Sequence, residues 1–275
     1  MGANSKIEWT THTFNPWWGC TKVSEACKHC YAETWAKRVG QDVWGPKPNR
    51  RVMSDSHWKQ PIKWNREAAG LADRPRVFCA SMADVFEDRD ELVAHRRRLF
   101  NLIEETSNLD WLLLTKRPEN VLRLVEWSNE WPDHVWLGTT VELQHRADEL
   151  LPYLERIPAK VRFISAEPLL GPLSIEDWLG STIDWVITGG ESGPKARPAS
   201  PAWFHDLHAQ CMRQEVPFHF KQWGDWMPGH GENLSARKMR LADDGTRMYR
   251  VGKKAAGRLL GGVEHDGLPN VGRAS

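Results

Sequence analysis

From Arg76 onward the chain alternates short β-branched or aromatic runs with amphipathic segments, and this rhythm limits the fold more than any other feature. The runs cover 76–81, 111–115, 135–140, 162–166, 185–188 and 218–222. Between them lie segments of helical period. Residues 90–106 carry Leu92, Leu99, Leu102 and Ile103, and residues 119–127 follow Pro118, which suits a first helical turn. Residues 145–156 carry Leu150, Leu151 and Leu154, and residues 201–214 carry Trp203, Phe204, Leu207 and Cys211. A helix after each strand returns the chain to a parallel neighbour, so the pattern predicts βα units and a parallel sheet. With a further strand over 6–14, where Ile7, Trp9 and Thr11 share a face, the expected class is α/β. The expected architecture is a partial or open TIM-like (βα)6–7 barrel. A doubly wound sheet fits the same alternation.

After Gly224 the rhythm stops, which divides the chain into a barrel over 1–224 and an extension over 225–275. In the extension, 239–242 and 248–251 flank Asp243-Asp244-Gly245-Thr246 and predict a β-hairpin. A small basic segment, 252–262, follows, and the polar stretch 263–275 is expected to be poorly ordered. Residues 40–64 read as loop-rich, punctuated by Pro46, Pro48 and Pro61. With 37 basic and 36 acidic residues the net charge is +1, so global charge argues neither for nor against nucleic acid. No apolar run reaches the length of a membrane span and no signal peptide opens the chain, so no membrane association is expected. Five cysteines, three of them clustered, suit a reducing cytoplasm.

Those three, Cys20, Cys27 and Cys30, lie in the stretch 15–32, NPWWGCTKVSEACKHCYA, at the predicted C-terminal end of the first strand. Their spacing is C-x6-C-x2-C. Three thiolates can hold three corners of a 4Fe–4S cluster and leave one iron open to a ligand. A structural zinc site would need a fourth ligand, which His12 or His29 could supply. Paired disulfides are disfavoured by the odd count. Residues 26–38 are expected to be helical and to carry Cys27, Cys30 and Tyr31 toward the barrel.

The run N-P-x-x-G-C followed by C-x-x-C-Y-A resembles the cluster loop of radical S-adenosylmethionine (SAM) enzymes, particularly the spore photoproduct lyase branch, where the usual spacing is C-x3-C-x2-C. The wider loop and the Trp-rich N-terminus are more similar to a family of phages and bacteria, the three-Cys-motif phage proteins, whose role is unassigned. The resemblance implies a 4Fe–4S cluster, SAM as cofactor, an external electron donor and a 5′-deoxyadenosyl radical that abstracts hydrogen from a substrate. The photoproduct lyase likeness implies DNA repair or modification, and DNA, RNA or a nucleotide as substrate. Sixteen Trp, against eight Phe and three Tyr, agree with stacking on bases, although core packing explains most single Trp residues.

Active sites of parallel barrels lie at the C-terminal ends of the strands. Read there, the candidates are Ser81 and Asp84, Lys116, Thr140 and Glu142, Ser165 and Glu167, Gly189-Gly190-Glu191, and Lys221 with Trp223. Helix caps alone explain Lys116, Glu142, Glu167, Glu191 and Lys221 poorly. By the resemblance, Asp84 or Ser81 would meet the amine of SAM, Lys116 its carboxylate, and Thr140 or Glu142 its ribose. Tyr31, Ser165, Glu167, Gly189, Gly190 and Glu191 would complete the cofactor site. Gly189-Gly190-Glu191 is similar to that family's Gly-Gly-Glu motif but follows a later strand, so no amine-binding role transfers to Glu191. Arg50, Arg51, Lys221 and Trp223 are the candidate substrate contacts, and Lys253, Lys254 and Arg258 are further candidates for phosphate. Cys79 is a candidate hydrogen donor, although a lone strand cysteine is more often a small core residue, and Cys211 reads as core. The run 95–98 reads as a solvated helix face. Two functions are carried forward: a radical SAM-type iron–sulfur enzyme, and a non-catalytic zinc- or cluster-binding protein that docks nucleic acid or a partner.

Overall fold

A computed structural model describes residue 2 and residues 5–127, 130–229, 234 and 237–270. The first strand, β1 (His12–Thr13), leads into the cysteine loop; β2 (Trp17–Trp18) and β3 (Arg51–Val52) pair antiparallel beside that loop. Helix α1 (Tyr31–Arg38) follows the third cysteine, and α2 (Asp55–Trp58) and α3 (Gln60–Glu67) precede β4 (Arg76–Cys79). The alternation then runs α4 (Val93–Glu105), β5 (Asp110–Thr115), α5 (Val121–Leu124), β6 (Val135–Thr140), α6 (Gln144–Glu155), β7 (Arg162–Ala166), β8 (Trp185–Gly189), α7 (Pro201–Arg213) and β9 (Phe218–Gln222).

Seven strands form one parallel sheet in the order β1-β4-β5-β6-β7-β8-β9, curled into an open half-barrel. The strand order follows the chain order throughout, as a partial barrel requires and a doubly wound sheet, which reverses direction at a switch point, does not. Alternate residues divide between two apolar layers, as the two-residue period of a strand dictates. Val77, Cys79, Trp111, Leu113, Leu137, Ile164 and Val186 pack in the larger core with Leu99, Leu151 and Phe204 of the helices. Phe78, Leu112, Trp136, Phe163, Trp185 and Ile187 form a second cluster on the other face. Trp9 closes that cluster, with ring centroids 4.7 Å from Phe78 and 6.0 Å from Trp185.

Several sequence expectations are corrected. The first strand spans two residues, not nine. Residues 5–11 fold on themselves, with Ser5 N–H donating to the Thr11 carbonyl and Thr10 N–H to that of Ile7. These local bonds take groups that a strand would offer to the ladder, so Trp9 is presented by a turn. Residues 26–38 are not one helix: a 3₁₀ turn at Glu25–Cys27 precedes α1, and Cys27 and Cys30 lie ahead of it. The stretch 40–64 holds α2 and the start of α3, where Pro61 sits in the first turn and leaves no N–H unbonded.

In the extension, β10 (Trp226–Pro228), β11 (Met239–Leu241) and β12 (Arg247–Arg250) form an antiparallel sheet in the order β10-β12-β11, so the expected hairpin gains a third strand. A short helix, α8 (Lys253–Ala256), follows. Within the polar tail, residues 263–270 are placed against the sheet. Phe220 N–H donates to the His265 carbonyl and Gly267 N–H to that of Phe218, so this segment covers the open edge of β9. Residues 271–275 lie outside the described residues.

Candidate functional site

A cavity of about 490 Å³ opens at the C-terminal ends of the sheet strands. Cys20, Cys27 and Cys30 line it together with Tyr31, Ser81, Asp84, Lys116, Thr140, Ser165, Glu167, Gly190, Glu191 and Lys221. Strand ends of β4 to β9 thus face a loop that sequence reading alone placed beside them. Glu142, Gly189, Arg50, Arg51, Trp223 and Cys79 do not line it.

The cysteine loop is held from several sides. Gly19, just before Cys20, has a φ of +113°, and a Cβ there would sit 2.3 Å from the Val43 carbonyl, so only glycine fits. Arg117 donates from one nitrogen to Asp84 Oδ2 at 2.8 Å and to Cys20 Sγ at 3.6 Å, and from the other to the Thr21 carbonyl at 2.7 Å. Asp84 also accepts from the Thr115 hydroxyl and the Lys116 N–H. Asp84 is therefore closed against Arg117 rather than open to an amine. Asn15 fixes the facing segment, accepting from Met82 N–H at 2.7 Å and donating to Ser81 Oγ at 3.0 Å.

Glu142 is fully buried and accepts from Ala26 N–H at 3.2 Å, which pins the 3₁₀ turn that ends at Cys27. That corrects its expected ribose contact: a side chain so enclosed positions the loop and does not touch the cavity. Glu191, which does line the cavity, also holds the loop, at its other end. It receives His29 Nδ1 at 3.2 Å and the Arg197 side chain and N–H at 2.6–2.8 Å. Against the opposing effect of burial, Arg197 holds the Glu191 carboxyl below its usual range. Gly190 is required by a close approach, since a Cβ there would lie 2.0 Å from the Trp223 carbonyl.

Two polar pairs stand on the cavity wall. Lys116 donates to Thr140 Oγ1 at 3.1 Å. Lys221 sits 2.8 Å from both Glu167 oxygens, and Gln222 adds a third donor at 3.1 Å. The ammonium of Lys116 therefore meets a neutral hydroxyl, while that of Lys221 is already neutralised.

Three expected substrate contacts are corrected, two by burial and one by its position away from the cavity. Arg50 is enclosed: Nε and one terminal nitrogen bind both oxygens of Glu87 at 2.9 and 2.8 Å, that same terminal nitrogen also reaches the Gly45 carbonyl and the Thr21 hydroxyl, and the second terminal nitrogen reaches the carbonyls of Val43 and Pro48. With so many partners it is a structural hub of the loop and has no donor left for phosphate. Trp223 is buried, with its indole N–H on the Leu259 carbonyl. Arg51 is exposed on β3 but lies over the Trp18 ring, 5.0 Å from its centroid, away from the cavity. Cys79 is fully buried on the helix-facing side of β4, which removes it as a hydrogen donor to anything in the cavity. Cys211 is core, as expected. In the run 95–98, Arg96 departs from the solvated reading: it is buried and donates to the Val85 and Glu87 carbonyls.

Among the described residues, no group of three or more His, Cys, Asp or Glu side chains converges closely enough to hold a metal ion. Cys20 Sγ donates to the Thr21 carbonyl at 3.3 Å, and Cys27 Sγ lies 3.8 Å from Ser24 Oγ. Burial, followed by Asp84, pushes the Cys20 thiol up to about 12, and burial also raises Cys30. The donor set still fits a cluster in kind: three sulfurs share one cavity, and a guanidinium N–H is directed at one of them. Binding would require the thiols to turn from their present partners and lose their protons. His12 is excluded as a fourth ligand, because it stacks on Trp64 at 4.4 Å and does not line the cavity.

Sequence reading missed Arg117, Glu87 and Arg197. Arg117 adjoins Lys116 at a strand end, so its position was a usable signal; Glu87 and Arg197 sit several residues past their strands and carried none.

The fold and cavity define an α/β half-barrel protein with a three-thiol pocket at the C-terminal rim of its parallel sheet. A family model described as "Protein of unknown function (DUF5131)" matches residues 4–269, and the chain belongs to that family. No curated protein and no solved structure matches it. Among the described residues no helix is long and apolar enough to cross a membrane.

Proposed function

We propose that the protein is a radical SAM-type enzyme whose Cys20, Cys27 and Cys30 bind an iron–sulfur cluster and whose cavity binds SAM. One observation carries this reading: the three thiols and the polar strand ends of Ser81, Lys116, Thr140, Ser165 and Glu167 line the same cavity. The resemblance of N-P-x-x-G-C and C-x-x-C-Y-A to the radical SAM cluster loop supports it. When bound, the cluster would supply one electron, drawn from an external donor, that cleaves SAM to methionine and a 5′-deoxyadenosyl radical.

The chain's own part is positioning and exclusion of water. Lys116 offers a fixed cation for the SAM carboxylate, because among the described residues it meets a neutral hydroxyl and no carboxylate. Ser81 stands in place for the amine, since Asp84 is closed against Arg117. Thr140 and Ser165 present hydroxyls toward a ribose. Arg117 holds the Cys20 end of the loop, Glu142 the turn that ends at Cys27, and the Glu191–His29 contact the segment between Cys27 and Cys30.

Iron and sulfide analysis of the anaerobically purified chain tests the first half of this reading. About four irons with matching sulfide per chain is the expected result. A colourless, zinc-loaded protein would favour a non-catalytic metal-binding module instead.

A further inference from the structure

The cavity wall carries more cations than its own carboxylates neutralise. Lys221 is closed against Glu167, Lys22 against Glu33, Asp84 against Arg117 and Glu191 against Arg197. Lys6, Lys116 and Lys253 remain on the wall, with Glu8 as the single carboxylate outside these pairs. Lys116 reaches the Thr140 hydroxyl. Among the described residues, neither the Lys6 nor the Lys253 ammonium has a hydrogen-bond or ion-pair partner. Lys253 is solvent-exposed at the cavity rim, yet partial desolvation there, with the Lys221 charge beside it, holds it below the usual lysine range, and Glu167 and Glu8 offset only part of this. A cation in that setting is relieved by an anion.

Lys253 is brought to this place by the fold. Val251 and Gly252 N–H both donate to the Asp225 carbonyl, and Trp223 N–H donates to that of Gly257, which docks the 252–257 segment at the end of β9. Lys6 arrives from the N-terminal turns that also carry Ile7, Glu8 and Trp9 onto the wall. Ile7, Trp9, Phe78 and Leu114 give the same cavity an apolar surface.

We propose that Lys6 and Lys253 bind the phosphate of a small nucleotide, the substrate of the site described above, with its base against the apolar surface. A phosphate monoester carries about −1.5 to −2 charge near neutrality and suits two ammonium groups better than a carboxylate does. A cavity of about 490 Å³, part of which SAM would fill, is in the small-ligand range of roughly 300–1,000 Å³ and has no room for a duplex. The neighbouring basic residues do not share the role. Lys254 lines only the adjoining groove, which Lys253 also borders, and not the cavity, and Arg258 is engaged by Glu264 and Asp266. Naming the ligand a substrate rests on the proposed enzyme reading; the phosphate site itself does not.

Calorimetric titration of the full chain at low salt with thymidine 5′-monophosphate and with thymidine tests the site. A pyrimidine pair avoids competition for the place of the SAM adenosine. The monophosphate is expected to bind about tenfold tighter or more, a difference of about 1.4 kcal/mol. Lys6→Ala and Lys253→Ala should each reduce that advantage and together abolish it, with thymidine affinity and melting temperature unchanged. Equal affinities in the unmodified chain, no binding of either ligand, or an advantage that survives the double variant would overturn the assignment. A single-stranded oligonucleotide that binds tighter than the monophosphate, and loses this in the double variant, would overturn the mononucleotide assignment. Neither readout uses a cluster or SAM cleavage, so failure here and failure of the enzyme reading are distinguishable.

Discussion

Replacing Arg50 with lysine or methionine separates a buried hub from a surface phosphate contact. The Arg50 side chain is fully enclosed and makes six hydrogen bonds, two of them to a Glu87 carboxylate that is itself 5% exposed. Arg50→Met keeps most of the apolar stem but leaves Glu87 with the Thr21 N–H at 3.0 Å and Arg117 only at 3.9 Å, and leaves three carbonyls without this donor. Breaking a buried ion pair from one side costs roughly 3–5 kcal/mol, a large share of the roughly 5–15 kcal/mol that holds a typical domain. At roughly 2–4 °C per kcal/mol for a chain near this size, the melting temperature should fall by about 6–20 °C. Arg50→Lys keeps the charge but not the planar fork, so it should also lose several degrees. Adding Glu87→Gln to Arg50→Met should cost less than the two single changes summed, because the buried carboxylate no longer lacks its main counter-charge. Thermal melts followed by circular dichroism read all of this. A melting temperature within about 1 °C of the parent for Arg50→Met would refute the hub, since such a change is what a solvated arginine gives.

The remaining expectations are more direct. Cys20→Ala, Cys27→Ala and Cys30→Ala should each lower iron content to a similar extent, whereas Cys79→Ala and Cys211→Ala should leave it unchanged; iron assay of the anaerobically prepared variants decides, and full retention in any loop variant contradicts the shared role. Lys116→Ala should weaken SAM binding in calorimetry while iron content stays normal; a loss of stability with unchanged affinity would make Lys116 a mere rim contact. His219 is buried with neither ring nitrogen hydrogen-bonded, and burial lowers its pKa from 6.5 to about 4 although Asp266 lies 3.6 Å from Nδ1 and acts to raise it. The unfolded chain then binds the extra proton, so this residue makes stability fall as pH drops from about 6.5 toward 4. His219→Gln should flatten that part of the profile in urea unfolding, and an unaltered slope would remove the assignment.

The parallel sheet was legible because its signal is local. Runs such as Trp111 to Leu114 are apolar on both faces, as strands buried under helices on one side and aromatics on the other must be. The strand-end rule also placed Ser81, Lys116, Thr140, Ser165, Glu167 and Lys221 on one cavity. What failed depended on partners distant in sequence. Arg50 reads as a charged loop residue until Glu87 and the Val43 and Gly45 carbonyls surround it. Glu142 sits at a strand end like Thr140, yet it turns away to the Ala26 N–H, 116 residues earlier. The segment 265–267 is polar and carries no strand period, but the unpaired edge of β9 gives its backbone a ladder to join. Conversely, Lys253 belongs to a segment that sequence alone sets apart from the barrel, and the docking of 252–257 places it on the cavity wall.

The most direct test of the central claim is SAM cleavage by the anaerobically reconstituted chain with dithionite, read as 5′-deoxyadenosine and methionine by chromatography. The account predicts both products in equal amounts, slowly even without substrate, and their loss in Cys27→Ala. A chain with a complete cluster that forms neither product would contradict it, and the wide C-x6-C spacing would then be the first feature to examine.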